Sequence, residues 1–458
     1  MNSYIIASTK KSSGKTIISV GITAALQAMK KNISVFKKGP DYIDPIWLSL
    51  ASKKSCYNLD FYTMTKNEIK KLFLSKSSTS EVAIVEANKG LFDGLSLDGS
   101  DSNAALAKFL NLNVILVLDC SGTTRGIAPL IKGYKSFDTK VKYTGLILNN
   151  ISGTRHEDKI LKAINFYTDF KVIGSVWKNS KLKISEQHLG LQPVFLKKDS
   201  DKIIKNIHSI IKSSVDIHSL YNKHVIKKKK LIPKITQSLK YSHLSIGIAR
   251  DEAFGFYYPD DLEVLTKSGI KIQYFNTLKD SQLPNVDAIF IGGGFPELVA
   301  DKLSKNIKML QSVKNFIELD KPAYVECGGL MYLSKVIKFK SKSYKMSGVL
   351  DGIISLKQKP VGRGYVSLES TNKHPWIKKS KNILCHEFHY SDISLAKNKY
   401  KFAYKILRGH GIDGKHDGVL YKNLLASYSH IRDTNKSRWI KNFLEFINKT
   451  YYETKANI

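Results

Sequence analysis

Residues 9–16, which read T-K-K-S-S-G-K-T, contain the side chains of a phosphate-binding loop. Gly14, Lys15 and Thr16 match the end of the pattern G-x-x-x-x-G-K-S/T, although Thr9 stands where that pattern begins with glycine. In such a loop the lysine contacts the β- and γ-phosphates of a nucleotide, and the hydroxyl of the last residue binds Mg²⁺. The segment therefore predicts a nucleotide site, with a strand before it and a helix after it.

Four acidic residues follow two further apolar runs and could serve the same nucleotide. Asp41 and Asp44 lie in F-K-K-G-P-D-Y-I-D-P, and Glu86 and Asp93 lie in V-E-A-N-K-G-L-F-D-G. Each acid alone could equally be a loop cap or a turn former. The carboxyl ends of parallel strands, however, meet at the edge where open α/β sheets bind ligands. Because Mg²⁺ takes one or two carboxylates together with phosphate oxygens, the four acids predict a metal–triphosphate site.

The second half of the chain contains a cysteine in the setting of a nucleophile. Cys327 follows the apolar residues 323–325 and precedes Gly328 and Gly329, which predicts a sharp strand-to-helix turn with an exposed thiol. A lone cysteine is more often a small buried hydrophobic residue, but the E-C-G-G context reverses that preference. A cysteine nucleophile also needs a base, so a histidine from elsewhere in the chain must approach it.

The elements that must position these residues are predicted from apolar periodicity. In the first 190 residues short apolar runs alternate with amphipathic stretches, which is typical of a parallel α/β sheet. The predicted strands are residues 4–8, 33–36, 82–86, 114–119, 144–148 and 171–176, and a predicted helix covers residues 15–31. A second α/β series is predicted from residues 244–249, 272–275, 288–291 and 322–325.

The chain is predicted to divide into an N-terminal domain over residues 1–194 and a C-terminal domain over residues 243–445. Between them, residues 195–242 contain an amphipathic helix and a run of lysines ending at Pro233, and such a run is usually a solvated linker. Residues 446–458 are predicted as a polar tail. The length of 458 residues agrees with two or three domains.

Composition excludes several classes of protein. The net charge is +34, but only seven of the 73 basic residues are arginine, and the 66 lysines are scattered along the whole length. Base recognition and bidentate phosphate contacts favour arginine, so we expect no nucleic-acid function. No apolar run has the length of about 20 residues that spans a bilayer. The four cysteines form no C-x-x-C pair, which favours a reducing cytoplasm.

The motifs of the N-terminal half resemble those of the cobyrinic acid a,c-diamide synthase family. The resemblance rests on S-S-G-K-T, F-K-K-G-P-D-Y-I-D-P, N-L-D (residues 58–60) and V-E-A-N-K-G-L-F-D-G. In that family the position of Thr9 is not reliably glycine, and Lys37 is similar to a lysine that contacts phosphate in the related dethiobiotin synthetases. Ala87 and Lys89 depart from the Gly and Arg that are common in the family.

The C-terminal half resembles a class I glutamine amidotransferase domain of the cobyrinate and cobyric acid synthase type. Its motifs are I-G-G-G-F-P-E-L, V-E-C-G-G-L-M-Y-L, H-E-F-H-Y-S and A-S-Y-S-H-I-R. The resemblance places the nucleophile at Cys327 and the catalytic histidine at His430, with His386 and His389 as rival bases. Many class I domains have a glutamate two residues after the histidine, where this chain has Arg432. The resemblance therefore implies a Cys-His pair and not a full Cys-His-Glu triad.

The resemblance implies a dethiobiotin-synthetase-like P-loop domain joined to a glutaminase domain. The implied reaction is the amidation of the a and c acetate groups of cobyrinic acid, through acyl phosphates, with ATP, Mg²⁺ and glutamine. The predicted site residues are Ser12, Ser13, Gly14, Lys15, Thr16 and Lys37 for the nucleotide; Asp41, Tyr42, Asp44 and Asp93 for the substrate and acyl phosphate; Thr16, Asp44 and Glu86 for the metal; Gly293, Gly294 and Gly328 for the oxyanion; and Cys327 and His430 for catalysis.

Several alternatives remain open at this point. Sister enzymes that act on hydrogenobyrinic acid or nickel sirohydrochlorin share G-P-D-Y-I-D-P, whereas cobyric acid synthases lack the D-Y-I-D run. A partitioning-type ATPase would use Lys10 as a second loop lysine and leave Cys327 and His430 without a role. A degenerate enzyme could retain one half-activity. The expected partners are small molecules, and we expect neither nucleic acid nor a membrane as a partner. A homodimer is one of the assemblies that the sequence allows.

Overall fold

The computed structural model describes residues 1–182, 186–187, 190–191, 199–221, 239–377 and 382–456, without the side chains of 186–187 and 190–191. It divides the chain into two compact units, Met1–Pro233 and Lys234–Ile458. The predicted lysine-rich linker therefore lies almost entirely outside the described residues. No helix within the described ranges is long and apolar enough to cross a membrane.

The first unit is built on a seven-stranded parallel sheet with the strand order β3-β2-β4-β1-β5-β6-β7. Its strands are β1 (Asn2–Ser8), β2 (Ile33–Lys38), β3 (Cys56–Leu59), β4 (Val82–Glu86), β5 (Asn113–Asp119), β6 (Tyr143–Ile151) and β7 (Val172–Trp177). Its helices are α1 (Lys15–Ala28), α2 (Ile43–Ser52), α3 (Lys66–Ser77), α4 (Asn103–Leu110), α5 (Ile127–Phe137), α6 (Thr154–Tyr167) and α7 (Ser200–Ser214). A two-residue pair, β8 (Glu186–Gln187) and β9 (Gly190–Leu191), precedes α7.

All six strands predicted in this unit form, and β3 is added at the edge of the sheet. The central strands carry nearly continuous apolar runs because helices cover both faces of a parallel sheet. All five residues of β4 are buried, for example, and so are the last five residues of β1. The order of the strands brings the carboxyl ends of β2, β4 and β1 side by side at one edge.

Helix α7, predicted within the 195–242 segment, packs against α1 of the first unit. Ile207 and Ile211 of α7 are fully buried. The two helices come close at Gly21, where an added Cβ would lie 2.3 Å from Cγ1 of Ile211. A glycine on α1 therefore leaves the space into which the isoleucine of α7 fits, which makes α7 part of the first unit's packing.

The second unit contains a nine-stranded mixed sheet with the order β12-β10-β13-β15-β24-β23-β22-β19-β20. The strands are β10 (Ser245–Ala249), β11 (Phe254–Phe256), β12 (Lys271–Phe275), β13 (Ala288–Ile291), β14 (Gly293–Gly294), β15 (Ala323–Glu326), β16 (Val336–Phe339), β17 (Lys342–Lys345), β18 (Gly352–Leu356), β19 (Gly362–Ser370), β20 (Ile383–His389), β21 (Ser391–Leu395), β22 (Lys401–Arg408), β23 (His416–Tyr421) and β24 (Leu424–Ser427). The helices are α8 (Pro259–Lys267), α9 (Ala300–Lys305), α10 (Ile307–Glu318), α11 (Gly328–Leu333) and α12 (Trp439–Ala456).

The parallel half of this sheet, from β12 to β24, contains the strands predicted from the sequence. The antiparallel half, from β24 to β20, was not predicted. A four-stranded sheet of β17, β16, β18 and β21 and a short β11–β14 pair complete the unit. Helix α12 buries Trp439, Phe443 and Ile447 in the core. The residues from 446 onward, predicted as a polar tail, thus continue this helix to Ala456, and the domain boundaries stay predictions.

Candidate active sites

The segment between β1 and α1 of the first unit forms a closed loop. Gly14 has a φ of 88°, in the left-handed region that glycine adopts without strain. Its missing side chain also matters, because an added Cβ would lie 2.1 Å from Nδ2 of Asn149 on β6. That same Nδ2 donates a hydrogen bond to the carbonyl of Ser13 at 2.9 Å, and the Ser13 hydroxyl donates to the carbonyl of Lys10 at 2.9 Å. The exposed Ser12 completes the turn.

Lys15 begins α1 and points back into this loop. Its ammonium donates to the hydroxyl of Ser8 at 2.8 Å and to the carbonyl of Lys10 at 3.4 Å. Burial, together with the charge of Lys37, lowers the pKa of Lys15 to about 8. Both acceptors are uncharged, so a phosphate oxygen in the loop would provide the ammonium with an opposite charge.

A buried cluster of charges lies at the carboxyl ends of β2 and β4. The ammonium of Lys37 donates to Oδ2 of Asp44 at 2.5 Å and to Oε1 of Glu86 at 3.0 Å, and lies 3.8 Å from Oδ2 of Asp41. The hydroxyl of Thr16 donates to the same Oε1 of Glu86 at 2.6 Å. The structure thus brings together five of the predicted nucleotide, substrate and metal residues.

The protonation of this cluster follows from burial and charge. Burial, with the nearby charge of Asp44, raises the pKa of Asp41 to about 7. Burial also raises the pKa of Glu86 to about 7, although Lys37 acts in the opposite direction. Burial lowers the pKa of Lys37, but the surrounding acids outweigh it and the net shift is upward. For Asp44 the contact with Lys37 outweighs burial, so its pKa is lowered.

The residues of the cluster fit a magnesium ion. Oε2 of Glu86 is buried and accepts no hydrogen bond, so it is available to a cation. Carboxylate and hydroxyl oxygens are the hard ligands that Mg²⁺ prefers, and the remaining positions go to water and phosphate. No group of three or more His, Cys, Asp or Glu side chains in the described part of the chain is arranged to hold a metal by itself.

The other predicted residues of the first unit have supporting positions. Oδ1 of Asp41 accepts hydrogen bonds from the N–H groups of Ile43 and Asp44, which fixes the start of α2 beside the buried Tyr42. Asp93 accepts from the N–H of Gly90 at 2.8 Å and acts on Lys15 only through its charge. The exposed side chain of Lys10 forms an ion pair of 3.4 Å with Asp119 at the end of β5.

In the second unit Cys327 occupies a strained turn between β15 and α11. Its φ of 45° lies in the left-handed region, which costs energy for a residue other than glycine and is common at catalytic turns. Its N–H donates to the carbonyl of Ser427 at 2.7 Å. The prediction of an exposed thiol is wrong, because Cys327 is only 6% exposed. Strand β20 covers it, and Sγ lies 3.8 Å from the carbonyl of Phe388.

His430 is the histidine whose side chain interacts with Cys327. Nδ1 of His430 lies 3.4 Å from Oε2 of Glu326. Burial lowers the pKa of His430, but the negative charges of Cys327 and Glu326 outweigh it and raise that pKa to about 10. The imidazole therefore carries its proton at neutral pH.

The two rival histidines are engaged in other contacts. The ring of His386 stacks on that of His430 at 5.0 Å, and burial lowers its pKa well below the ordinary value. His389 donates from Nδ1 to the carbonyl of Ser391 at 2.7 Å and stacks on Tyr428 at 3.8 Å. His386 therefore lies against the ring of His430, whereas a role of His389 in the wall of the site stays a prediction.

Arg432, which stands where many class I domains have a glutamate, takes part in a different interaction. Its guanidinium donates to Oδ2 of Asp260 at 2.7 and 3.0 Å and lies 4.9 Å above the ring of Tyr258. The acid beside His430 is instead Glu326, which sequence reasoning missed. Its only signal was a glutamate in an otherwise apolar buried strand, directly before the cysteine.

The three glycines predicted for the oxyanion lie close to this pair. An added Cβ on Gly293 would lie 2.4 Å from Cε1 of His430. On Gly294 it would lie 1.9 Å from the carbonyl oxygen of Ala253, and on Gly328 it would lie 2.8 Å from the carbonyl oxygen of Gly294. The backbone here is packed too tightly for any side chain.

Replacing Gly293 with alanine should therefore lower glutamine hydrolysis by about 10²-fold, since a shift of the catalytic ring by about 1 Å costs that much. The new methyl group would force the imidazole of His430 away from Cys327. Initial rates of glutamate release measure the effect. Gly133→Ala is the matched control, because nothing lies within 4 Å of a Cβ there and Gly133 is not in the left-handed region. A Gly293→Ala variant as active as the control would contradict this packing.

Two family models match the chain, one for each unit. Residues 4–191 match the CobQ/CobB/MinD/ParA nucleotide binding domain, and residues 245–437 match the CobB/CobQ-like glutamine amidotransferase domain. The predicted architecture of a P-loop α/β domain followed by a class I amidotransferase-like α/β domain is thereby confirmed.

Curated relatives match over almost the entire length. The chain is 40% identical to the cobyrinate a,c-diamide synthase of Magnetococcus marinus, covering 95% of this chain and 94% of the relative. It is 36% identical to the enzyme of that name from Caldanaerobacter subterraneus, covering 96% and 97%. It is also 36% identical to that of Methanobrevibacter smithii, covering 93% and 94%.

Proposed function

The chain belongs to the cobyrinate a,c-diamide synthase family, and from this premise we propose that it amidates the a and c acetate carboxylates of cobyrinic acid in cobalamin biosynthesis. It is a carbon–nitrogen ligase with glutamine as the nitrogen donor and ATP as the activating nucleotide. The observation that carries the proposal is the presence, in one chain, of a Cys327–His430 pair and a P-loop with a buried acid cluster.

The second unit releases ammonia from glutamine. The thiolate of Cys327 attacks the carboxamide carbon, and the C–N bond breaks as His430 gives its proton to the leaving ammonia. The product is a glutamyl thioester, which water hydrolyses to glutamate and the free thiol. We assign the developing oxyanion to backbone N–H groups among Gly293, Gly294 and Gly328, whose close packing favours a fixed arrangement.

The first unit activates the substrate carboxylate. A carboxylate oxygen attacks the γ-phosphorus of ATP and ADP leaves, which gives an acyl phosphate. Lys15 offsets the charge that develops on the phosphate oxygens, because phosphoryl transfer depends on positioning and electrostatics. Thr16, Asp44 and Glu86 would hold Mg²⁺, which supplies further positive charge when bound. Ammonia then adds to the acyl carbon and phosphate leaves, which completes the amide.

Lys37 and Asp41 prepare this site for its ligands. The ammonium of Lys37 offsets the charges of Asp44 and Glu86 at 2.5 and 3.0 Å. We assign Asp41, Tyr42 and Asp93 to the part of the site that faces the substrate and its acyl phosphate. Asp41 lies at the edge of the charged cluster, where its carboxylate could orient the incoming ammonia.

The proposal is tested by substrate-dependent turnover. Purified protein with ATP, Mg²⁺ and glutamine should release phosphate only when a tetrapyrrole acid is supplied, and glutamate release should then rise by the same amount above its basal rate. A panel of cobyrinic acid, hydrogenobyrinic acid and nickel sirohydrochlorin separates the proposed substrate from those of the sister enzymes. Faster turnover of either alternative acid would replace cobyrinic acid in the proposal. Salt-sensitive DNA binding without glutamate release would favour the partitioning-type ATPase.

The proposal also includes a cellular location, binding partners and an assembly state. We propose a cytoplasmic location, which the four free and buried cysteines support. The expected partners are ATP, glutamine and the tetrapyrrole acid, and a homodimer stays a prediction that light scattering of the purified protein would test.

The acid cluster predicts a pH dependence for nucleotide binding. Asp41 and Glu86 have pKa values raised to about 7, so both lose their charge as the pH falls through neutrality. Protons then compete with Mg²⁺ for Glu86, because the cation binds the ionised carboxylate. The apparent KM for Mg·ATP should rise by up to about tenfold for each pH unit below about 7. Steady-state kinetics with ammonium as nitrogen donor checks this, and a constant KM between about pH 8 and about pH 6 would contradict it.

A further inference from the structure

Glu326 is a buried acid at the end of β15 with a partner for each carboxylate oxygen. Oε1 accepts hydrogen bonds from the hydroxyl of Tyr324 at 2.7 Å and from the N–H of Ile431 at 3.0 Å. Oε2 lies 3.4 Å from Nδ1 of His430. Two neutral donors thus fix one oxygen and direct the other towards the imidazole.

Burying the carboxylate of Glu326 costs free energy unless its charge is compensated. Strand β15 reads A-Y-V-E and all four residues are buried. A carboxylate in such a place loses its hydration, and the penalty is large unless the charge is paired and hydrogen-bonded. The positively charged ring of His430 is the group that compensates it here.

The other groups around His430 are engaged elsewhere, and Glu326 is the acid that pairs with its ring. His386 of β20 stacks on the ring of His430, and its own Nδ1 lies 3.2 Å from the hydroxyl of Tyr258. Arg432 is paired with Asp260. Cys327 is the nucleophile that the ring serves. Among the described residues, Glu326 is the acid in contact with the imidazole.

We propose that Glu326 is the positioning residue of His430, holding Nδ1–H towards its carboxylate and leaving Nε2 to serve Cys327. It completes a Cys-His-Glu arrangement from the residue before the nucleophile and not from the position two residues after the histidine. This inference deepens the proposed glutaminase activity and rests on it.

The geometry of the strand end explains how neighbouring residues can serve one ring. Successive side chains of a strand point to opposite faces, so Glu326 and Cys327 would normally diverge. The left-handed φ of 45° at Cys327 ends the extended conformation at that residue. Strand β24 pairs with β15, and Ser427 of β24 lies opposite Glu326. His430 follows shortly after β24, so its ring can reach both Glu326 and Cys327.

The proposed chemistry leaves Glu326 ionised throughout. The proton of the Cys327 thiol moves to Nε2 of His430, and from there to the ammonia that leaves the tetrahedral intermediate. Glu326 stabilises the imidazolium and fixes the tautomer of the ring, without exchanging a proton itself. The rise of the His430 pKa in this setting is consistent with such a role.

Glu326→Gln tests the inference because it removes the charge and keeps the shape. We expect the kcat for glutamine hydrolysis to fall by about 10³-fold, with the KM for glutamine little changed. Ammonium-dependent amide synthesis should stay unaffected. Alkylation of Cys327 by iodoacetamide at neutral pH should become slower, because the thiolate loses part of its partner's charge. Glu326→Asp should restore the pH profile of alkylation, and Tyr324→Phe, which leaves Oε2 in place, should cost less than about tenfold.

Three results would overturn the inference. One is a wild-type kcat and alkylation profile in Glu326→Gln, and another is an equal loss of glutamine- and ammonium-dependent synthesis, which would indicate a structural role. The third is an alkylation profile in Glu326→Asp that matches Glu326→Gln. The variant Cys327→Ser separates failure of this inference from failure of the proposed function. If Cys327 is not the nucleophile, Cys327→Ser keeps its glutamine hydrolysis.

Discussion

Replacing Cys327 with serine is expected to lower glutamine-dependent amide synthesis by at least about 10³-fold and to leave ammonium-dependent synthesis within about twofold of the wild type. A serine hydroxyl is a much weaker nucleophile than the cysteine thiol and has no sulfur with which to form the thioester, so cleavage of the glutamine amide is slowed. Free ammonia needs no thioester, and the ATP site of the first unit is unaltered. Initial rates with each nitrogen donor at saturating ATP measure both effects.

Cys385→Ser is the matched control for this substitution. Cys385 is buried in the core of the same unit and its sulfur contacts the carbonyl of Val366. It should lose some stability, of the order of 1 kcal/mol, and keep its glutaminase activity. An equal loss with glutamine and ammonium in Cys327→Ser would contradict the division of labour between the two units.

Replacing Lys15 with methionine is expected to abolish amide synthesis with both nitrogen donors, by about 10³-fold or more. The ammonium of Lys15 lies in the loop between β1 and α1, where its contacts are uncharged oxygens. Methionine has a similar length and no charge, so the phosphate oxygens lose their main partner. Basal glutamine hydrolysis should continue, because Cys327 and His430 belong to the other unit.

The variant Lys10→Met tests whether the loss of synthesis is specific to Lys15 or follows from removing any lysine of the loop. Lys10 lies five residues earlier in the same loop, but its side chain is exposed and pairs with Asp119. The variant should retain synthesis within a few-fold, as expected for a surface ion pair. If Lys10→Met were as damaging as Lys15→Met, the loop would resemble that of the partitioning-type ATPases, and the assignment of Lys15 as the main phosphate contact would be wrong.

The nucleotide half of the molecule was predictable because its determinants are local. Gly14, Lys15 and Thr16 adjoin one strand, and Asp44 and Glu86 follow two others. The physical rule that parallel strands end at one edge is enough to bring them together. Strand β3 was missed because its four residues, C-Y-N-L, form an edge strand without a long apolar run.

The glutaminase half depends on contacts that no local pattern indicates. Cys327 is buried because β20 passes over it, and β20 belongs to the antiparallel half of the sheet, which the sequence did not predict. Glu326 was missed because the third acid was sought near His430 in the sequence, at Arg432. The actual contact arises from the pairing of β15 with β24, across more than a hundred residues of chain.

In the proposed reaction the amide nitrogen of glutamine reaches two carboxylates of one cobyrinic acid molecule. The direct measurement is mass spectrometry of the tetrapyrrole after incubation with ATP, Mg²⁺ and glutamine labelled with ¹⁵N in its side-chain amide. We expect a diamide that carries two ¹⁵N atoms, formed through a singly labelled monoamide, with the a and c acetates modified. Unlabelled cobyrinic acid recovered intact, while ATP and glutamine are consumed, would contradict it.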